Sequence, residues 1–159
     1  MSERTDDAPS RIPWPPILLA CAIAAGVLLG YAVPLPWFGS PLADLLFALG
    51  WLVALAAVLM EISAVRALQR AGTTFMANRG AAHLVTGGPY AFSRNPIYLG
   101  NVALLFAIGM ISGMAWFFLT GLALAFATQK LAVEPEERHL ALRFGKRYRD
   151  YQKKVRRWF

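Results

Sequence analysis

The residues of this chain that could do chemistry fall in two polar segments separated by a long apolar stretch. The first, GGPYAFSRNPIYLG at residues 87–100, combines a glycine–proline turn with two tyrosines and an arginine. The second, residues 130–150, contains three glutamates and continues into a basic run. Main-chain amides, phenols and carboxylates can together hold a polar organic ligand by hydrogen bonds. The two segments are therefore the candidate walls of a binding site.

The spacing of these residues excludes several common kinds of site. His83 and His139 lack neighbouring cysteines and the HExxH spacing, which excludes the usual protein-held metal centres. Ser93 does not stand in a GxSxG nucleophile motif, and the Gly87–Gly88 pair does not continue into GxGxxG. We therefore expect a bound organic cofactor and no metal.

The first polar segment has the residue types of a ligand-binding turn that leads into a helix. Gly87 and Gly88 allow a ligand to approach the backbone closely, and Pro89 fixes φ. Asn95 as a capping residue and Pro96 at the first helical position predict a helix start. The free amides of such a start favour a carboxylate or a phosphate.

Tyrosines and glutamates complete the candidate set, although each also has a structural interpretation. Tyr90 and Tyr98 can stack on a ligand or hydrogen-bond to it, and Glu136 with Glu137 could bind an ammonium group or a ribose diol. Taken singly, Tyr98 is also typical of a membrane interface, and Arg94 of an anchor on the cytoplasmic side. The two glutamates are also typical of the first turn of a helix.

The composition predicts an integral membrane protein. Hydrophobic residues make up 57% of the 159-residue chain and charged residues 16%, against roughly 45–50% and 25% in globular proteins. The charges are segregated, with none between Arg94 and Lys130. The net charge of +7 arises from basic residues beside the apolar spans. Anionic lipid headgroups attract such residues, so we expect membrane lipids as partners and no nucleic acid.

Four membrane helices are expected, at residues 17–33, 43–65, 96–111 and 114–131. As one helix, the uncharged stretch 95–129 would be roughly 52 Å long, far more than a bilayer of about 30 Å needs. The motif GMISG at its centre predicts a break, so the last two helices form a hairpin. Glu61, near the end of the second span, is expected to pair with Arg66 or to extend toward the interface.

The distribution of lysine and arginine predicts the orientation. Loop 34–42 carries neither residue, whereas the loop at 66–95 and the segment at 134–159 are basic. The positive-inside rule then places both termini, including a polar tail at 1–11, on the cytoplasmic side of a plasma or bacterial inner membrane. Loop 66–95 becomes the cytoplasmic cofactor loop.

A helical apolar stripe runs through residues 134–159, formed by Leu140, Phe144, Tyr148, Tyr151, Val155 and Trp158. Basic residues occupy most of the other positions, which is typical of an amphipathic helix lying at the membrane interface. The predicted fold is therefore an all-α integral membrane protein of one domain. It has about four transmembrane helices, the last two a helical hairpin, and a C-terminal amphipathic interfacial helix.

Two motifs on either side of the hairpin carry a family resemblance. LVTGGPYAFSRNPIYLG, and after it EERHLALRFGKRYRDYQKKV, resemble the isoprenylcysteine carboxyl methyltransferase family and its phospholipid methyltransferase relatives. AGTT at 71–74 resembles the segment that precedes the first motif in bacterial members. The resemblance covers about residues 66–155. It implies S-adenosylmethionine as the methyl donor, S-adenosylhomocysteine as the product, and a lipidic or prenylated acceptor.

The resemblance also implies a set of site residues. The cofactor-binding positions are His83, Leu84, Val85, Tyr90, Asn95, Pro96, Ile97, Tyr98, Glu136 and Glu137. Asn95 replaces a histidine of the family motif, and Ala132 stands where eukaryotic members place an arginine for the substrate carboxylate, with Lys130 the nearest cation.

Catalytic roles are assigned to Arg94 and Glu137, with Lys130 and Glu61 as alternatives. Arg94, with Lys130 as a second candidate, would position an anionic group of the acceptor. A carboxylate acceptor needs no general base, whereas for an amine acceptor Glu137 or Glu61 would receive the proton.

Other functions remain open from the sequence. Phospholipid-amine N-methylation is the alternative within the same superfamily, and a sterol-reductase-like NADPH enzyme is an alternative of another enzyme class. A non-enzymatic membrane adaptor is also possible, because GVLLG and GMISG are GxxxG patterns that pack helices. Neither the methyl acceptor nor the oligomeric state follows from the sequence.

Overall fold

The protein is described by a computed structural model over residues 12–72 and 83–159, and the regular structure in these ranges is entirely helical. Its six α-helices are α1 (Trp14–Ala32), α2 (Leu42–Arg70), α3 (Pro96–Ser112), α4 (Trp116–Thr128), α5 (Glu134–Phe144) and α6 (Lys146–Lys154). A 3₁₀ turn, Gly88–Ala91, precedes α3, and a π-helical segment, Gln129–Val133, joins α4 to α5. The predicted all-α class is confirmed. The polar tail 1–11, Arg79, Thr73 and Thr74 of the AGTT motif, and the middle of loop 66–95 lie outside the described residues.

Three helical stretches are long and apolar enough to cross a membrane: Trp14–Ala32, Leu42–Arg70 and the continuous run Trp116–Phe144. The fourth apolar helix, Pro96–Ser112, is shorter. Large apolar side chains point outward from the first two, as at Leu28 and Leu52. Such a surface is typical of helices that face lipid. The four predicted spans thus coincide with four apolar helices, and the number that cross the bilayer stays a prediction.

The predicted hairpin is present between α3 and α4. Helix α3 ends at Ser112, and Gly113 follows with φ +70°, a left-handed conformation that glycine adopts without steric cost. Helix α4 begins at Trp116 and packs back along α3. The GMISG motif therefore marks the turn between the two helices.

Helices α3 and α4 form the centre of the bundle, with α2 packed on α3 and α1 packed on α4. Val102 and Leu105 of α3 pack with Phe117 and Leu124 of α4 in one buried cluster. Gly26 of α1 lies where a side chain would collide with the Phe117 ring. Small residues at such crossings allow the helix backbones to approach closely.

The basic segment differs from the prediction of one helix over 134–159. Gly145, with φ +52° and ψ −120°, lies outside the helical region and separates α5 from α6, and α6 ends at Lys154. Tyr148 and Tyr151 of the apolar stripe are buried against Leu140 and neighbouring side chains of the protein itself. The basic residues Lys146, Arg147, Arg149, Lys153 and Lys154 remain exposed. The location of this segment at the membrane interface stays a prediction.

The close approach of α2 to α3 at Gly50 generates a stability prediction. A Cβ at this position would lie 2.7 Å from Ile111 Cγ1 and 3.1 Å from the carbonyl oxygen of Ala107. Because a backbone oxygen moves only with its helix, we expect Gly50→Ala to lower the free energy of unfolding by about 1–3 kcal/mol. Thermal denaturation in detergent micelles measures the change.

Gly39→Ala is the matched control, because a Cβ at Gly39 would meet nothing within 4 Å. We expect that variant to unfold like the original chain. Equal unfolding temperatures for the two variants would contradict the observed α2–α3 packing.

Candidate functional site

The two polar segments identified in the sequence meet at one end of the bundle. The Tyr98 hydroxyl, in the first turn of α3, donates a hydrogen bond to Glu136 Oε1 at 2.7 Å. These residues are 38 positions apart in the sequence, and the α3–α4 hairpin brings the chain back to the end of the bundle where α3 begins. The helix start and the acidic cluster therefore form one site.

A buried apolar layer surrounds the Tyr98–Glu136 pair. Tyr98 packs with Ala132 and Val133 of the π-helical segment, and Ile97 and Trp158 pack against the same cluster. The hydrogen bonds of a π-helix span one residue more than those of an α-helix, so the segment rotates the glutamates relative to α4. Such segments are frequent at functional sites.

Tyr90, on the 3₁₀ turn, completes this part of the site. Burial, reinforced by the nearby Glu136 carboxylate, raises the pKa of the Tyr90 phenol above its usual value. The Tyr151 hydroxyl donates a hydrogen bond to the Tyr90 carbonyl oxygen, which fixes the turn against α6. Tyr90 therefore remains a neutral phenol that can donate a hydrogen bond at physiological pH.

Glu137 belongs to a second cluster, formed with two arginines. The Arg157 Nε donates to Glu137 Oε1 at 3.1 Å, and its Nη2 donates to Oε2 at 2.7 Å. Arg94 Nη1 lies 3.2 Å from the same Oε1. Consecutive residues of a helix point about 100° apart, so Glu136 and Glu137 face different surroundings. Glu137 is a buried carboxylate held by two cations.

Arg94 interacts with Glu137 mainly through charge. Its Nε and Nη1 are buried and have no aligned hydrogen-bond partner among the described residues. The Tyr148 hydroxyl lies beside the guanidinium, and burial together with Glu137 raises the pKa of Tyr148 to about 12. Arg94 is therefore enclosed by Glu137 and a neutral phenol.

Residues 155–159, named the strap here, leave α6 and run across the start of α3. The Ser93 hydroxyl and the Asn95 side-chain amide donate to the Arg157 carbonyl oxygen at 3.2 and 3.0 Å. The Arg94 N–H donates to the Arg156 carbonyl oxygen at 3.1 Å. The strap therefore binds the segment that enters α3.

The role predicted for Asn95 is only partly observed. Helix α3 begins at Pro96, as expected, but the Asn95 side chain makes no capping hydrogen bond. Its amide instead donates to the Arg157 carbonyl. The prediction of a side-chain cap was wrong because the strap brings a main-chain acceptor to this buried side chain.

The structure brings together some of the predicted site residues and leaves others apart. Tyr90, Tyr98 and Glu136 form one cluster, and Arg94 with Glu137 forms the other. Asn95, Pro96 and Ile97 lie at the start of α3, between the strap and the π-helical segment. Leu84 packs against the α6 cluster, Val85 is half-buried, and His83 is exposed.

The remaining candidates lie at other positions. Lys130 Nζ forms an exposed ion pair with Glu134 Oε1 at 2.8 Å, and Ala132 is buried. Glu61 packs against Gly100 of α3, and its Oε1 has no hydrogen-bond partner in the described ranges 12–72 and 83–159. The expected Glu61–Arg66 pair is thus not formed in the structure.

Two further residues, Arg157 and Trp158, belong to these clusters and are not among the site residues predicted from the sequence. The Trp158 Nε1 donates to Gln129 Oε1 at 3.0 Å, and the indole packs against the Tyr98 cluster. In the sequence, Arg157 is one of many basic residues and does not differ from its neighbour Arg156. No local signal distinguishes the two, because the pairing with Glu137 depends on where the chain leaves α6.

An open cavity of about 340 Å³ borders the Glu137 cluster. It lies between α5, α6 and the strap, and its walls are Glu134, Glu137, Arg138, Ala141, Gln152 and Arg157. Carboxylates and guanidinium groups therefore share one accessible groove, which suits a ligand carrying both charges.

Comparison with known proteins supports the motif resemblance. A family model described as phospholipid methyltransferase matches residues 45–147, a range that includes the first polar segment and most of the second. Protein-S-isoprenylcysteine O-methyltransferase from Dictyostelium discoideum is 33% identical over 122 residues, which cover 69% of this chain. The match covers 48% of the relative, so the chain spans about half the length of that protein. This chain belongs to the phospholipid methyltransferase family.

Proposed function

We propose that the protein is a membrane methyltransferase that takes its methyl group from S-adenosylmethionine. One observation carries the proposal: the Tyr98–Glu136 hydrogen bond joins the first motif to the second, and both residues lie within the family match. Glu137 at this junction is buried, and desolvation raises the pKa of the half-buried Glu136 to about 7. Perturbed carboxyl groups are frequent at functional sites, which supports the proposal.

The residues at the junction fit such a methyl donor. Glu136 accepts one hydrogen bond from Tyr98 and retains lone pairs for an ammonium group or ribose hydroxyls. Tyr90 and Tyr98 are phenols that can donate to a ligand. When bound, the cofactor supplies an electrophilic methyl group on a sulfonium.

The protein's own contribution is alignment and exclusion of water. Methyl transfer is an in-line displacement, so holding donor and acceptor in one line supplies most of the catalysis. Ile97, Val133 and Trp158 form an apolar wall beside Tyr98. An apolar wall keeps water from the reacting groups.

For the acceptor we propose a lipidic or prenylated molecule that enters from the bilayer. A carboxylate on a prenylated cysteine is the first candidate, because the Dictyostelium relative is named an O-methyltransferase of protein S-isoprenylcysteine and a carboxylate is an oxygen nucleophile that such a cysteine can offer. Arg94 is the residue proposed to position that carboxylate. In that reaction the sulfonium S–CH₃ bond breaks, the O–CH₃ bond forms, and no proton is released.

A phospholipid amine is the second candidate, favoured by a specific observation. Ala132 is buried where related enzymes place an arginine, and Lys130 is already paired with Glu134. Around Ala132, the described part of the chain therefore offers no unpaired cation that could hold a carboxylate. Transfer to an amine forms an N–CH₃ bond, and the ammonium proton must pass to a base. Glu61, with an unpartnered Oε1, is the candidate for that role.

We further propose that the site faces the cytoplasm, where the cofactor is dissolved. The support is the distribution of basic residues: Arg66 and Arg70 at the end of α2 and the exposed face of α6 share the site's side of the bundle. The positive-inside rule places that side in the cytoplasm.

Binding of S-adenosylhomocysteine to the detergent-solubilised protein tests the proposed site. We expect Glu136→Gln and Glu137→Gln each to weaken binding by about tenfold or more, because each removes a charged acceptor from a buried site. Isothermal titration calorimetry measures the affinity. Asp150→Asn is the matched control, since Asp150 is an exposed carboxylate of α6 that lies 3.9 Å from Lys153 Nζ and does not belong to the cavity walls named above. No binding by the original chain would favour the non-enzymatic adaptor.

Tyr98→Phe tests the hydrogen bond that joins the two motifs. The variant leaves the half-buried Glu136 carboxyl group without its phenol donor. We expect the free energy of unfolding to fall by about 1–3 kcal/mol, together with weaker binding of S-adenosylhomocysteine. Tyr31→Phe is the control, because Tyr31 is 76% exposed. If the two variants behaved alike in both measurements, the Tyr98–Glu136 contact would have no role.

A panel of acceptors separates the two candidate reactions. The protein in lipid nanodiscs is incubated with radiolabelled S-adenosylmethionine and either a prenylated cysteine or an amine-bearing phospholipid. We expect label in the prenylated cysteine as a base-labile ester. Label only in the phospholipid, lost in Glu61→Gln, would instead establish the amine reaction.

A further inference from the structure

The strap contacts both clusters of the proposed site. On one side, the main-chain carbonyls of Arg156 and Arg157 accept hydrogen bonds from Ser93, Arg94 and Asn95. On the other, the Trp158 indole packs beside Tyr98 and donates to Gln129. The guanidinium of Arg157, between these two anchors, reaches Glu137.

Arg157 makes the aligned contacts that fix the Glu137 carboxylate. Its Nε and Nη2 bind both carboxylate oxygens, at 3.1 and 2.7 Å, in the forked geometry that only arginine provides. Arg94 also lies close, at 3.2 Å, but its Nη1 forms no aligned hydrogen bond among the described residues. The orientation of Glu137 is therefore set by Arg157.

Glu137 can still accept hydrogen bonds from a bound ligand after these contacts to the arginines are made. A carboxylate has about four acceptor positions, and the two arginines use only part of them. Glu137 is 8% exposed and borders the open cavity between α5, α6 and the strap. Its remaining positions are thus available on the side from which a ligand would enter.

We propose that the strap is a component of the methyl-donor site and that Arg157 is a positioning residue, which acts by orienting Glu137 toward the ligand. This inference rests on the proposed function, because it takes Glu137 as a ligand of the cofactor. It adds Arg157 and Trp158, which neither motif contains, and the family match ends at residue 147, before the strap begins.

Arg156 provides a matched control one residue away. It contributes its carbonyl oxygen to Arg94 N–H, a contact that does not depend on the side chain, and its own side chain is exposed. Arg156→Gln therefore removes the same charge as Arg157→Gln and leaves the main-chain contacts of the strap in place.

The test is binding of S-adenosylhomocysteine to the full chain in detergent, measured by calorimetry beside thermal unfolding. We expect Arg157→Gln to weaken binding about tenfold, and Arg156→Gln to change it by less than about twofold. Arg157→Lys keeps the charge without the fork, so its affinity should lie between those of Arg157→Gln and the original chain.

A double variant distinguishes positioning from a general structural role. If Arg157 acts through Glu137, the double variant of Glu137→Gln and Arg157→Gln binds no more weakly than Glu137→Gln alone. If the double variant lost affinity by the product of the two single-variant losses, the proposal would be contradicted. An unchanged affinity in Arg157→Gln would contradict it as well. If Arg157→Gln does not fold, an unchanged affinity in Arg157→Lys contradicts it. Absence of binding by the original chain would instead overturn the proposed function.

Discussion

The desolvation of two consecutive carboxyl groups, one on the half-buried Glu136 and one on the buried Glu137, is the constraint on which the rest of this site depends. A buried charge is tolerated only when hydrogen bonds or opposite charges compensate it. Because neighbouring positions on a helix point in different directions, the two glutamates require different partners. Tyr98 supplies a neutral donor to Glu136, and Arg94 with Arg157 supplies cations to Glu137. The α3 start, the π-helical segment and the strap converge here to satisfy them.

The two glutamates therefore give the two sides of the site different charge and polarity, so that each side suits a different group of one ligand. The surroundings of Glu136 are apolar apart from phenols and hold no described cation, so Glu136 attracts a cationic group more strongly than Glu137 does. The Glu137 side carries more positive than negative charge, and its accessible groove also contains Arg138. A cofactor that bears an ammonium, a sulfonium and a carboxylate has groups for both sides. Under the proposed function, the same bundle end receives a soluble donor from water and an acceptor from the lipid.

The sequence predicts the helices of this fold better than it predicts the contacts of the candidate site. Apolar stretches and the prolines and glycines that bound them predict α1 to α4 to within a few residues, because membrane length and backbone chemistry determine where such helices end. The start of α3 at Pro96 and the turn at Gly113 are of this kind. The motifs also place Tyr90, Tyr98 and the glutamates in one site. The Arg157–Glu137 pair is not predictable locally, because it requires the break at Gly145 and the exit from α6 after Lys154. The residue spacing also predicts the apolar stripe over residues 134–159, but Tyr148, Tyr151 and Val155 of that stripe pack against the protein itself.

A structure of the protein with S-adenosylhomocysteine bound tests the central claim most directly. We expect the ligand to lie between the start of α3, the π-helical segment and the strap and to reach the groove beside Glu137, with contacts to Glu136, Glu137 and a Tyr90 or Tyr98 hydroxyl. Ligand density elsewhere on the bundle, with both glutamates retaining only their present partners, would contradict it.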